Sequence, residues 1–161
     1  MRLLINPLHL RKLLLISVLG LVSTGLAAAP SAPRDLGAEE QNRALVLKFY
    51  DQVFNQHHVE TGTSVMADNY KQHNPLVPDG KKPFVSYFTQ RFSQFPEAKS
   101  RVIRSATQDD LVNLHVHSTQ GPQDLGRAIV DIFRVKNGLI VEHWDVIQPV
   151  PDKAKNENTM F

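Results

Sequence analysis

The chain has 161 residues with 18 Lys+Arg, 16 Asp+Glu and no cysteine, which excludes disulfides, thiolate chemistry and a lipid-modified cysteine. Three of the bases (Arg2, Arg11 and Lys12) and none of the acids fall in residues 1–27, so the remainder carries 15 bases against 16 acids. That near-neutral balance, with no basic run interleaved with aromatics, gives no footprint for nucleic-acid binding.

The N-terminus reads as an export signal. A basic front end precedes an almost wholly apolar run, Leu13 to Leu26, and the small residues Ala27, Ala28 and Ala29 follow. A spanning helix needs about 20 apolar residues; this run is shorter and ends in a cleavage-like segment, the pattern of a signal peptide rather than an anchor. Pro30 disfavours cleavage after Ala29, which places the cut after Ala27, with Gly25 at the third position back. The chain is therefore expected in the periplasm or outside the cell. Residues 28–38 read as a flexible linker.

From Glu39 the pattern turns helical, with Leu45, Phe49 and Val53 at four-residue spacing beside Val46, Tyr50 and Phe54. Glu39 and Glu40 suit the first turn of a helix, and His57 and His58 mark its end. A short helix is expected over Val59 to Asp68, opposed by Gly62 and two threonines. Tyr70 to Asn74 reads as extended before Pro75, and Pro78-Asp79-Gly80 as a turn. A further helix carries Phe84, Val85, Phe88, Phe92 and Phe95 to its stop at Pro96.

Four strands follow: Ser100–Ala106, Leu111–Ser118, Leu125–Val135 and Leu139–Gln148. Asn137-Gly138 between apolar runs is a strong hairpin signal. Helices first and an antiparallel meander after them give an α+β fold, with the helices gathered on one face of a curved sheet. The roughly 130 residues after the signal suffice for one core, placed in a single domain at 39–148, and 149–161 reads as a loose polar tail.

Asp131, inside Ala128-Ile129-Val130-Asp131-Ile132-Phe133, is the residue that asks for an explanation. A carboxylate in so apolar a strand is either paired or used, because a lone buried charge is costly. A two-residue Asn137-Gly138 loop places Asp131 opposite Trp144; a three-residue loop with a bulge places His143 there instead. The first register gives the more apolar face, with Ile140, Val146 and Gln148 beside Trp144. His115 and His117 alternate with Leu114, Val116 and Ser118, so the two imidazoles point the same way. A carboxylate near an imidazole suits proton movement at neutral pH, and a structural Asp–His pair is the competing explanation. His115-x-His117 lacks a third metal ligand beyond Asp131, so no metal and no cofactor are expected.

Tyr70-Lys71-Gln72-His73-Asn74-Pro75 with Asp79-Gly80, then Ile129-Val130-Asp131-Ile132-Phe133-Arg134, Asn137-Gly138 and Ile140-Val141-Glu142-His143-Trp144-Asp145, resemble SnoaL-like proteins of the nuclear-transport-factor-2-like superfamily. The resemblance runs from about Glu39 to Gln148. It implies a cone-shaped, strongly curved antiparallel sheet wrapped round helices, with a pocket in the wide end. It implies, by position, that Asp131 matches the general base of polyketide cyclases and His117 an assisting histidine. Superfamily epoxide hydrolases carry a base at the end of the last strand, where Gln148 stands, which argues against that chemistry. Homodimers through the outer sheet face are common in the superfamily, and apolar Ala128, Val130 and Ile132 opposite Asp131 agree with one.

Two functions follow as expectations. One is an enzyme abstracting a proton beside a carbonyl (aldol cyclase or isomerase type), with Asp131 and His117 catalytic. Tyr70, His73, Asn74, His115, Trp144 and Gln148 would then contact the apolar or carbonyl-bearing substrate. The other is a non-catalytic periplasmic protein that binds the same class of small molecule. His73-Asn74-Pro75 could equally be a structural corner.

Overall fold

The structure, a computed structural model, describes residues 33–161. The expected signal segment 1–27 and the first part of the linker lie outside the described residues. The helix expected from Glu39 starts earlier: α1 spans Leu36–Phe54, with the Asp35 carboxylate accepting from the Ala38 amide at 3.0 Å. Asp35 satisfies one of the free first-turn N–H groups, so the last part of the linker is an ordered helix start. Val46, Phe49, Tyr50 and Val53 form the buried stripe of α1, at the spacing that puts side chains on one helical face.

Glu39 does more than favour the helix dipole. Its carboxylate is buried and accepts from the Arg34 guanidinium, from the Thr107 hydroxyl at 3.0 Å and from the Asp109 amide at 3.1 Å. The Arg34 hydrogen bond leads in drawing its pKa down to about 2. One side chain thus fastens the start of α1 to the turn around Thr107 and Asp109.

The weak helix expected over Val59 to Asp68 is cut short. A single turn, α2 (Val59–Gly62), and a 3-10 turn at Thr63–Val65 lead into strand β1, Met66–Gln72. Gly62 is needed where it stands, since a Cβ there would lie 2.6 Å from a Val53 methyl. Helix α3 spans Lys81–Gln94 and presents Phe84, Phe88 and Phe92 inward. Their rings continue through Phe54, which meets Phe88 edge-on at 5.0 Å, into the packing of Phe49 and Phe133.

Strands β2 (Lys99–Gln108), β3 (Leu111–Thr119), β4 (Arg127–Lys136) and β5 (Leu139–Pro149) form the expected antiparallel meander. The sheet order is β1-β5-β4-β3-β2, and β1 pairs with β5 in parallel. The sheet is therefore mixed rather than purely antiparallel, because β1 reaches the edge by a crossover from the helices. Its α+β class stands. Among the described residues, no helix is long and apolar enough to cross a membrane.

The β4–β5 hairpin determines which side chains face inward. Asn137 (φ 52°) and Gly138 (φ 71°) are both left-handed, as a two-residue type I′ turn requires. Lys136 pairs with Leu139 and Val135 with Ile140, as expected for that loop. The register then shifts: Arg134 pairs with Glu142, leaving Val141 as an extra residue on β5. Beyond this bulge Phe133 faces His143, Ile132 faces Trp144 and Asp131 faces Asp145. The expected Asp131–Trp144 pairing is off by one residue, and a one-residue slip moves a side chain to the other face.

The tail is not loose throughout. Phe161 stacks on the His117 ring at 4.2 Å and on His115 at 5.7 Å, on the outer face of the sheet.

Candidate functional site

Between the inner face of the sheet and helices α1 and α3 lies a cavity of about 340 Å³. Its walls are aromatic and aliphatic: Phe54, Phe84, Phe88 and Phe92, with Ile129, Phe133 and Ile147 from the sheet. Its floor is polar, formed by Tyr50, Tyr70, Gln72, Asn74, Asp131, His143 and Asp145. An apolar wall with a few convergent polar groups is the usual form of a small-molecule site.

Asp131 is 5 % exposed and sits at the centre of the floor. Its Oδ2 accepts from the Tyr50 hydroxyl at 2.8 Å, and its Oδ1 lies 2.9 Å from His143 Nε2. His143, 7 % exposed, is held flat between rings, 4.6 Å from Phe133 and 6.4 Å from Tyr70. Its other nitrogen, Nδ1, lies 3.1 Å from Gln72 Oε1. The same Gln72 oxygen accepts from the Asn74 amide at 3.0 Å, and Gln72 Nε2 donates to the Tyr70 hydroxyl at 3.2 Å.

Asp145, directly across the ladder from Asp131, is held by Asn74 Nδ2, which donates to its two oxygens at 2.9 and 3.0 Å. Asn74 Oδ1 in turn accepts from the Leu76 amide at 2.9 Å, fixing the turn before α3. The Tyr50 phenol is pushed well above its ordinary pKa, first by burial and then by the Asp131 charge. Tyr70 is raised for the same reasons, with Asp145 adding to Asp131. Both phenols therefore stay protonated, Tyr50 donating to Asp131 and Tyr70 accepting from Gln72. No buried side-chain polar atom among the described residues lacks a partner, so the floor is a fully connected network.

The sequence-expected residues divide between two faces. Asp131, Tyr70 and Asn74 line the cavity. His115 and His117 do not. Leu114 is the β3 residue opposite Asp131, so the odd-numbered His115 and His117 that follow it project outward. There the His117 Nε2–H donates to the Leu125 carbonyl at 2.9 Å, and Arg104 donates to His115 Nδ1 at 2.9 Å.

Trp144 is also on the outer face. It stacks on His73 at 4.5 Å, and the Arg134 guanidinium lies 5.5 Å from its ring. His73 itself pairs with Glu142 Oε1 at 2.8 Å, the structural-corner role rather than a cavity role. Gln148 is exposed opposite Ala128 on that face. The last strand's inward carboxylate is Asp145, so the case made from Gln148 against hydrolase chemistry loses its ground.

Tyr50, Gln72, His143 and Asp145 join the site without having been singled out for it. Only His143 had a sequence signal, as the partner of Asp131 in the alternative register. Among the described residues, the group whose atoms could converge on a cation is Asp131, His143 and Asp145. Their ligand atoms lie within 4.8 Å of one another. These same atoms are engaged in the hydrogen bonds just given, and proton exchange is the chemistry the arrangement offers directly.

The model of the SnoaL-like domain matches residues 46–143. Solved structures agree in fold. A SnoaL-like protein of unknown function from Burkholderia thailandensis is 16 % identical, covering 68 % of this chain and 96 % of its own, at a TM-score of 0.59. A candidate ketosteroid isomerase from Kribbella flavida is 17 % identical over 76 % of this chain and 89 % of its own, at 0.60. A candidate SnoaL-like polyketide cyclase from Jannaschia is 17 % identical over 72 % and 91 %, also at 0.60. Comparison with the curated proteins returns no match. The architecture is the curved open sheet over three helices of the nuclear-transport-factor-2-like cone, and the chain belongs to the SnoaL-like domain family.

Proposed function

We propose that this protein is a cofactor-independent acid–base enzyme that moves a proton at carbon beside a carbonyl, of the isomerase or aldol-cyclase type. Its substrate is a small, largely apolar molecule. The observation that carries the reading is the buried Asp131–His143 pair at the floor of an aromatic-walled cavity. Both side chains are buried from bulk solvent, so a proton held between carboxylate and imidazole is available to a bound substrate. His143 takes the assisting role first expected of His117, and Tyr50 holds Asp131 in place.

Kinetics and binding on the same variants test this. With a panel of cyclic ketones and β-dicarbonyl compounds, wild type is expected to exchange the acidic C–H for deuterium, while Asp131→Asn binds the same compounds and exchanges none. Binding with no exchange by wild type on any member would favour the second reading, a ligand carrier. The fully satisfied floor is compatible with that alternative. Asp145 leaves hydration of an apolar epoxide as a further chemistry to include in the panel.

We also propose that the enzyme acts after export, beginning near Ala28, and works as a homodimer through the outer sheet face. Val130 and Val146 are 44 % and 71 % exposed there, an apolar surface a second copy would cover. N-terminal sequencing of an osmotic-shock fraction checks the first. Light scattering across micromolar concentrations checks the second, a monomer mass throughout removing it.

A further inference from the structure

We infer that Gln72 is a positioning residue that fixes a proton on His143 Nδ1, so that the Asp131–His143 pair is the proton donor of the site and Asp145 its acceptor. The inference rests on the acid–base reading only for what the proton does; where the proton sits follows from hydrogen-bond accounting alone.

The Asn74 N–H can only donate, and it points at one Gln72 side-chain atom, 3.0 Å away. That atom must be the amide oxygen, which settles which way round the Gln72 amide lies. The same oxygen is the neighbour of His143 Nδ1 at 3.1 Å. An amide oxygen only accepts, so Nδ1 carries a hydrogen. A neutral imidazole has one N–H and one lone pair. With Nδ1 protonated, Nε2 offers a lone pair toward Asp131 Oδ1, and two acceptors 2.9 Å apart cannot share an edge without a hydrogen between them. Either the imidazole is doubly protonated beside a carboxylate, or Asp131 is the protonated partner of a neutral ring. Both descriptions place one proton in the Nε2–Oδ1 bridge.

The groups facing this pair agree with the assignment. Tyr50 from α1 donates to the remaining Asp131 oxygen, and Tyr70 from β1 receives the Gln72 amide hydrogen. Phe133 covers the ring from β4. The carboxylate left without a proton in the cavity is Asp145, half-buried and anchored by Asn74 alone. Asp145 would take the proton from substrate carbon while the bridge gives one to the developing oxygen. One proton enters the site and one leaves, with no change of oxidation state. Substrate enol, a protonated Asp145 and a pair without its bridging proton result, and transfers in the opposite sense restore both groups and complete the cycle.

The test needs no substrate. Long-range proton–nitrogen correlation spectra of the full chain with 15N-labelled histidine report the protonation of each ring nitrogen, with His143 assigned by its loss in His143→Gln. Wild type is expected to show a protonated Nδ1. Gln72→Glu, which keeps an acceptor there, should retain it, whereas Gln72→Leu should leave Nδ1 unprotonated, its proton lost to solvent and the bridging proton remaining as Nε2–H. A wild-type His143 with bare Nδ1 and protonated Nε2 would overturn the inference, even if Gln72→Leu failed to fold. That outcome leaves the deuterium-exchange result, and with it the acid–base reading, standing separately.

Discussion

The two faces of the central sheet carry similar residues to opposite ends. The inner face holds a histidine and two carboxylates, His143, Asp131 and Asp145, each buried or half-buried and tied into one network. The outer face holds three histidines, His73, His115 and His117, with Glu142, Arg134 and Trp144. There the ion pairs Arg134–Asp110 and Arg134–Glu142, at 2.7 and 2.8 Å, are partly solvated and tie the strand ends together. Residue type is thus a poor guide to role in this molecule. Position relative to the pleat decides it, and on β5 that position is set by the one extra residue at Val141.

The largest way to break the contrast is therefore to insert one alanine between Glu142 and His143. With the bulge kept at Val141, every β5 residue beyond the insertion would move to the other face, bringing Trp144 and Val146 inward in place of His143 and Asp145. Losing the His143–Asp131 bond while Trp144 comes to lie across from the buried Asp131 is expected to abolish folding. Circular dichroism and the amide spectrum of the insertion variant would reveal this. A native-like spectrum would mean that β5 absorbs the added residue in a wider bulge.

Next in size are two substitutions at Asp131. Asp131→Ala removes the acceptor of Tyr50 and the partner of His143, both buried, and should cost about 3–5 kcal/mol in urea unfolding. Asp131→Asn is expected to cost no more than about 1 kcal/mol. Its oxygen still receives the Tyr50 hydroxyl, and its NH₂ donates to the bare Nε2 of a ring whose Nδ1 hydrogen is held by Gln72. A ring that carried its hydrogen on Nε2 would instead confront the Asn NH₂ with a second donor, and the two substitutions would then be similarly costly. The Ala–Asn difference thus measures the same proton as the nitrogen spectra, by an independent route.

Much of the fold was legible because its signals are local. The stripe Val46, Phe49, Tyr50 and Val53, the phenylalanines of α3, and Asn137-Gly138 each specify their element within a few residues. Asp131 stood out as well, a carboxylate among Ile and Val. Its partners did not, and the reasons are non-local. Ile140-Val141-Glu142 has no glycine or other mark of a bulge, so the turn was read correctly and the register beyond it was not. The seven residues between Thr119 and Arg127 leave the β3–β4 register unfixed, so whether His117 or Ser118 shares a face with Asp131 could not be read from alternation alone. Gln72 reaches His143 only because β1 crosses over to pair in parallel with β5, a contact 71 residues apart in the chain.

A smaller effect separates the floor of the cavity from the far clamp at Glu39. The folded-state pKa of Glu39 is depressed, chiefly by the Arg34 hydrogen bond, from 4.5 to about 2. Its contribution is therefore fully present above about pH 4.5 and is lost as pH falls toward about 2. Glu39→Gln should flatten the acid side of the unfolding midpoint over that window while leaving binding to the cavity unchanged. Equal acid sensitivity in wild type and variant would place the acid-labile contact elsewhere.

The smallest expected effect sharpens the comparison most directly, because it concerns the histidines that the sequence placed in the site. His115→Ala and His117→Ala each remove an outer-face imidazole. The groups they leave are near water: Leu125, whose carbonyl accepts from His117, is 50 % exposed, and Arg104 is exposed. Water replaces the lost hydrogen bonds, so each change should fall within about 0.5 kcal/mol. The Phe161 ring, which stacks on both, would lose its seat and the end of the tail would loosen, visible as faster amide exchange confined to the last residues. Deuterium exchange at substrate carbon should be unaffected in both, whereas His143→Ala should lose it. Were His117→Ala to abolish turnover while His143→Ala retained it, the proton-handling site would lie on the outer face, and the inner cavity would be a packing feature.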